Sequence, residues 1–261
     1  MINHNFKKKF GQNFITDKNL LSAIVDDAEI DKSDEVLEIG AGAGTLTKEI
    51  SNRAKKVISY EIDKDLESYL LGLKLNNVNF IFKDIMKENL LEIENYFEDG
   101  YKIIANLPYY ITTPIIFKFL KNSKKLKSLT IMVQKEVAER IVATKGEKDY
   151  GILTIMINFY GNAKITRNVN RKMFYPEPNV DSAVVRIDID REKYKNIDDD
   201  KFYSFVQSCF SMRRKTLKNN LEHSNLKLKM KIDNLPQSIL SLRAENLSFD
   251  DFVNIYLKIF E

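Results

Sequence analysis

The sequence predicts an α/β fold, a Rossmann-like doubly wound sheet, followed by a small all-helical domain. Short apolar runs alternate with helical spacings as far as about residue 160. The first strong run leads straight into a glycine-rich loop, Glu38-Ile39-Gly40-Ala41-Gly42-Ala43-Gly44. From residue 201 onward only helical spacings remain. An alternation of strand and helix of this kind builds a parallel sheet with helices on its faces.

Leu20, Leu21, Ile24 and Val25 form the first helical stripe, with Thr16 or Asp17 available as its N-cap. Runs at 36–39, 57–60, 78–82, 103–105 and 129–133 read as strands, and their continuous apolar character suits strands covered on both faces. Ile115, Ile116, Phe119 and Leu120 form a second stripe. Val137, Ile141 and Val142 begin a third that ends near Gly146. Residues 163–169 and 182–189 read as two adjacent strands able to close the sheet antiparallel, and the charged stretch 190–200 as a linker. Phe202, Phe205, Val206, Cys209 and Phe210, then Leu217 and Leu221, then Phe252, Ile255 and Tyr256 carry the helical domain. The expected division is 1–189 and 190–261.

Apolar residues make up 44% of the chain and charged residues 30%, which allows a sizeable core and argues against a disordered chain. Basic residues exceed acidic ones by 41 to 37, a net charge of +4 that is too small to identify a nucleic-acid partner, so charge must be read locally. The single Cys209 excludes an internal disulfide, and with only His4 and His223 beside it no metal site is expected. No run approaches the roughly 18 apolar residues of a membrane span. The lysines at 7–9 are not followed by the apolar segment of a secretory signal. A soluble, cytoplasmic protein without a membrane partner is expected.

The glycine loop has two acidic companions. Glu61 ends the second strand and can accept both hydroxyls of a ribose. Asp84, just after the third, can accept a bond from an adenine amine. A nicotinamide dinucleotide loop needs Gly-x-Gly-x-x-Gly, and counting from Gly40 or Gly42 places Thr45 or Thr47 in the last position. The Gly-x-Gly-x-Gly spacing after an acid fits S-adenosylmethionine better, since that ligand has no pyrophosphate to cradle. A tight strand-to-helix turn with solvated acids is the bland alternative.

Asn106-Leu107-Pro108-Tyr109 follows the fourth strand, at the edge where such sheets bind ligands. The amine of adenine is a poor nucleophile because its lone pair is delocalised into the ring. The Asn106 side-chain oxygen and a main-chain carbonyl of Leu107-Pro108 can hold its hydrogens and favour a pyramidal nitrogen aimed at a methyl donor. Tyr109 can stack the extruded base. An Asn-Pro turn with a core tyrosine is the competing reading of this tetrapeptide.

Phe10-Gly11-Gln12-Asn13-Phe14, the two motifs above, the segment from Phe174-Tyr175-Pro176-Glu177-Pro178 to Val185, Arg213-Arg214-Lys215-Thr216-Leu217 and Arg243-Ala244-Glu245-Asn246-Leu247-Ser248 occur in that order. Together they resemble the ribosomal RNA adenine N6-dimethyltransferases, most closely the small-subunit group. The resemblance covers nearly the whole chain. It implies a class I methyltransferase sheet over 1–189 that binds S-adenosyl-L-methionine, and a helical RNA-binding domain over 190–261. It implies donor contacts from Asn13 and Ile15 as well as Gly40, Gly42, Glu61, Asp84 and Asn106. Catalytic roles fall to Asn106, Leu107, Pro108 and Tyr109, with Phe174 against the target base. The implied substrate is two adjacent adenines in the 3′-terminal hairpin loop of small-subunit ribosomal RNA, met on the immature small subunit by a monomeric enzyme. Asn179 departs from the family, where many relatives carry lysine.

Arg213, Arg214, Lys215, Lys218, Lys227, Lys229 and Lys231 against the single acid Glu222, and separately Lys7, Lys8 and Lys9, are candidate phosphate contacts. Taken alone, either cluster could be a solvated helix face. Three further readings remain: a large-subunit RNA target, an assembly factor whose catalysis is secondary, and a nicotinamide oxidoreductase.

Overall fold

The computed structural model describes residues 14–15, 17–224, 232 and 234–260. The central sheet takes its parallel strands from β2 (Glu35–Ile39), β3 (Lys56–Tyr60), β4 (Val78–Ile81), β5 (Tyr101–Asn106) and β6 (Leu126–Gln134). Two more strands, β7 (Gly161–Val169) and β9 (Ser182–Ile189), complete the order β4-β3-β2-β5-β6-β9-β7, with β9 antiparallel to β6. A separate pair joins β1 (Phe14–Ile15) to β8 (Phe174–Tyr175), antiparallel.

Every residue of β2 is buried, as its unbroken apolar run requires of a strand covered on both faces. The crossovers α1 (Lys18–Asp27), α2 (Thr45–Ser51), α3 (Glu67–Leu71), α4 (Leu90–Glu94) and α5 (Thr112–Asn122) lie between the strands in sequence. Asp17, the second of the two expected caps, starts α1: its carboxylate accepts the N–H groups of Asn19 at 2.7 Å and Leu20 at 3.4 Å. Such a cap contributes about 1 kcal/mol. The buried face of α1 (Leu20, Leu21, Ile24 and Val25) joins Leu46 and Ile50 of α2 and Val36, Val57 and Ile104 of the sheet in one cluster.

Compactness divides the chain into two units. The described residues up to Ala138 with Ala163–Ile189 form one, and Glu139–Asn162 with the described residues from Asp190 onward form the other. The expected division at 189/190 differs by residues 139–162. That segment begins within α6 (Lys135–Val142) and contains α7 (Ile152–Tyr160). Leu153, Thr154, Ile155, Met156, Ile157, Phe159 and Tyr160 of α7 are all buried, so this helix has no charged face and only Thr154 and Asn158 interrupt its apolar surface.

In the second unit Phe159 stacks on Phe202 of α8 (Asp199–Cys209), with ring centroids 4.6 Å apart, and on Tyr194 at 5.6 Å. Tyr194 also meets Phe249, the first residue of α11 (Phe249–Phe260), edge to face at 5.4 Å. The stretch read as a linker is therefore anchored by a ring inside its run of charges. Asn220, on α9 (Leu217–Glu222), is buried and donates to the carbonyls of Cys209 and Met212 while accepting from Ser211 and the Met212 N–H. It shapes the turn that leads into Arg213, Arg214 and Lys215. The short α10 (Gln237–Leu240) follows. Among the described residues no helix is long and apolar enough to cross a membrane.

Candidate active site

The strand register explains why residues far apart in sequence meet. Ile39 is level with Tyr60 on one side and Ala105 on the other. The next residue along each chain is Gly40, Glu61 or Asn106; Gly40 and Glu61 follow the ends of β2 and β3 and Asn106 is the last residue of β5, so all three sit at the carboxyl edge of the sheet. Here β2 and β5 are neighbours, and the chain runs outward from them in opposite directions, which opens a cleft.

The glycine loop wraps this edge. Gly42 and Gly44 have φ of +53° and +69°, left-handed values that disfavour other residues. A Cβ at Gly44 would also lie 2.6 Å from Leu73 Cδ1. The Gly42 N–H donates to Glu61 Oε2 at 2.7 Å, and the Asp63 N–H donates to Oε1 at 2.8 Å. Glu61 is buried, and burial raises its pKa against the opposing pull of these N–H groups. Each carboxylate oxygen keeps acceptor capacity for a ligand.

On the other wall, the Pro108 carbonyl accepts the Ile111 N–H at 3.1 Å and the Thr112 hydroxyl at 3.5 Å. These bonds close a 3-10 turn, Tyr109–Ile111, at the head of α5. The Tyr109 hydroxyl shares a hydrogen bond of 2.8 Å with Ser182, which fixes its ring; burial raises the phenol pKa, opposed by that bond. Phe174 faces Ile15 across the β1–β8 pair and is buried.

One cavity collects the residues selected from the sequence. Ile15, Gly40, Gly42, Glu61, Asp84, Asn106, Leu107, Pro108, Tyr109 and Phe174 all line it. Asn13 lies outside the described residues, as do Lys7–Lys9, Lys227, Lys229 and Lys231. Of the remaining basic run, Arg213 donates to the Lys148 carbonyl and pairs with Glu245 at 3.5 Å, while Arg214 and Lys215 are exposed.

Two residues gain roles that sequence reading did not assign. Lys118 on α5 donates to the carbonyls of Ile85 at 2.7 Å, Met86 at 3.1 Å and Glu88 at 2.7 Å, using all three ammonium protons on the loop after Asp84. Burial lowers its pKa, opposed by Asp84 and Glu88. Asp84 itself accepts the Met86 N–H at 3.0 Å, so the ammonium and the carboxylate shape the same loop.

Glu38, the acid that opens the glycine motif, is fully buried beneath the loop and is not among the residues lining the cavity. It accepts the Ser59 hydroxyl at 2.5 Å, while its Oε1 and the Thr47 hydroxyl are both buried outside ordinary hydrogen-bond geometry. Burial raises its pKa from 4.5 to about 7, against the hydroxyls of Ser59 and Thr47 and with the negative Glu61 reinforcing the rise. The folded protein therefore keeps a proton that the unfolded chain gives up. Stability from this group is full below pH 4.5 and is lost as pH rises to about 7, a change of about 3 kcal/mol. Glu38→Gln should flatten the fall. Denaturant unfolding of both proteins at pH 5 and pH 8 checks this, and an equal fall in the variant would contradict it.

The sequence matches the family described as ribosomal RNA adenine dimethylase over residues 3–259. A ribosomal RNA small subunit methyltransferase A of Clostridium botulinum is 45% identical over 253 residues, 95% of this chain and 91% of the relative. One of the same name from Caldanaerobacter subterraneus is 44% identical, covering 95% of each chain. Among solved structures, a dimethyladenosine transferase from Plasmodium falciparum superposes with a TM-score of 0.81 at 30% identity, covering 94% of this chain and 96% of that one. The 23S rRNA methyltransferase ErmE superposes with a TM-score of 0.72 over 95% of this chain and 100% of its own, at 23% identity, a likeness of fold.

Proposed function

This chain belongs to the ribosomal RNA adenine dimethylase family, and we propose that it dimethylates N6 of two adjacent adenines in the 3′-terminal hairpin loop of small-subunit ribosomal RNA as the small subunit matures. It is an S-adenosylmethionine-dependent ribosomal RNA adenine dimethyltransferase. The observation that supports methyl transfer to an adenine amine is the shared cavity, lined by the glycine loop and Glu61 together with the 106–109 segment.

The residues fit the donor. Glu61 would take the ribose hydroxyls and Asp84 the adenine amine, with the glycine loop against the rest and Ile15 covering it. When bound, the donor supplies an electrophilic methyl group on a sulfonium. The Asn106 side-chain oxygen and the Leu107 carbonyl would hold the hydrogens of the target amine. The Leu107 carbonyl is assigned because that of Pro108 already serves the turn. Tyr109 and Phe174 would hold the base itself, and Arg214 and Lys215 supply phosphate contacts that carry no sequence information.

Lys118→Met should raise the KM for S-adenosylmethionine about tenfold and leave kcat within about twofold, because it loosens the Asp84 loop without touching the acceptor. Steady-state rates at varied donor concentration separate the two. A fall in kcat at unchanged KM would contradict the assignment.

The name shared by relatives at 44–45% identity supports a small-subunit target over a large-subunit one. Labelled donor incubated with under-methylated small subunits should deposit label on N6 of adenine, and isolated large subunits should stay unlabelled. Label confined to the large subunit would overturn the reading.

A further inference from the structure

We propose that Tyr110 forms an outer subsite that stacks the nucleobase adjacent to the adenine being methylated; this rests on the reading that an extruded adenine occupies the cavity. Tyr110 lines the cavity yet is 68% exposed. Other tyrosines with substantial exposure, Tyr69, Tyr96 and Tyr175, do not line it. Among the described residues no hydrogen bond or ring contact engages the Tyr110 side chain.

Its neighbour plays a different part. Tyr109 is half-buried and its hydroxyl is taken by Ser182. The backbone beneath both rings is fixed by the two bonds onto the Pro108 carbonyl. The Tyr110 ring is thus presented at the rim on a backbone already ordered, so little backbone freedom is lost when a ligand stacks on it.

The chemistry of the ligand follows. Extruding one base strips its neighbour of a stacking partner, and an aromatic face restores that contact without reading sequence. Where two adjacent adenines are modified in turn, the one outside the cavity is a purine with a large face, well matched to a phenol ring. The inner site would then hold the reacting base while Tyr110 holds its neighbour.

The test compares Tyr110→Ala and Tyr110→Phe with wild type on under-methylated small subunits, alongside calorimetry with S-adenosylmethionine. Tyr110→Ala should raise the KM for subunits about tenfold, within the range of a lost base–aromatic stack, with donor affinity and kcat within about twofold of wild type. Tyr110→Phe should behave as wild type, because the ring and not the hydroxyl makes the contact. An unchanged KM in Tyr110→Ala would overturn the subsite, as would an equal rise in Tyr110→Phe or a parallel loss of donor affinity. Wild type that places no methyl on subunit adenines would count against the functional reading, whereas active wild type with an indifferent Tyr110→Ala counts against the subsite alone.

Discussion

Asn106→Ala is expected to lower turnover by about 10²- to 10³-fold while leaving S-adenosylmethionine binding measurable, the size of effect seen when a preorganised transition-state contact is removed. Asn106 is the last residue of β5, one step beyond the row that aligns Ile39, Tyr60 and Ala105. Its backbone is set by a central strand, so no backbone freedom is lost in presenting its side chain to the cavity. As the amine nitrogen becomes tetrahedral its N–H groups grow more acidic, and an acceptor already in position is worth more there than in the ground state. In the proposed arrangement the donor would be held mainly by Glu61 and the glycine loop, which explains the expected separation of turnover from donor binding. Single-turnover methyl transfer with calorimetry measures both.

Glu61→Ala is expected to weaken S-adenosylmethionine binding by at least about 100-fold, the scale of losing hydrogen bonds to a buried charged group. Two losses combine. The ribose hydroxyls would lose their proposed acceptor, and the N–H groups of Gly42 and Asp63 lose the carboxylate that holds them. Glu61→Gln should recover part of the affinity, since an amide oxygen can still accept one of these bonds. Equal loss in Gln and Ala would assign the effect to charge alone. Calorimetry on the three proteins decides between them.

The site was legible because its residues follow apolar runs directly. A buried parallel strand announces itself by continuous hydrophobicity, and whatever comes next must sit at the carboxyl edge; this is how Gly40, Glu61 and Asn106 could be read before their register was known. Glu38 was harder. Both faces of β2 are buried, so alternation along the strand does not say which side an acid takes, and only the packing of Ser59 and Thr47 puts it under the loop. Lys118 was invisible for another reason: its partners are main-chain carbonyls at least 30 residues away, which no side-chain pattern marks. Also hard to read were α7, which carries no charged face, and Tyr194, one aromatic among charges whose two ring partners come from distant helices.

Binding S-adenosylhomocysteine to the protein and solving that structure measures the arrangement directly. The ribose hydroxyls should lie on Glu61 and the adenine edge on Asp84, with the sulfur facing the Asn106 side chain and the Leu107 carbonyl. A ligand seated away from Glu61, or one whose sulfur points away from residues 106–109, would contradict the proposed chemistry.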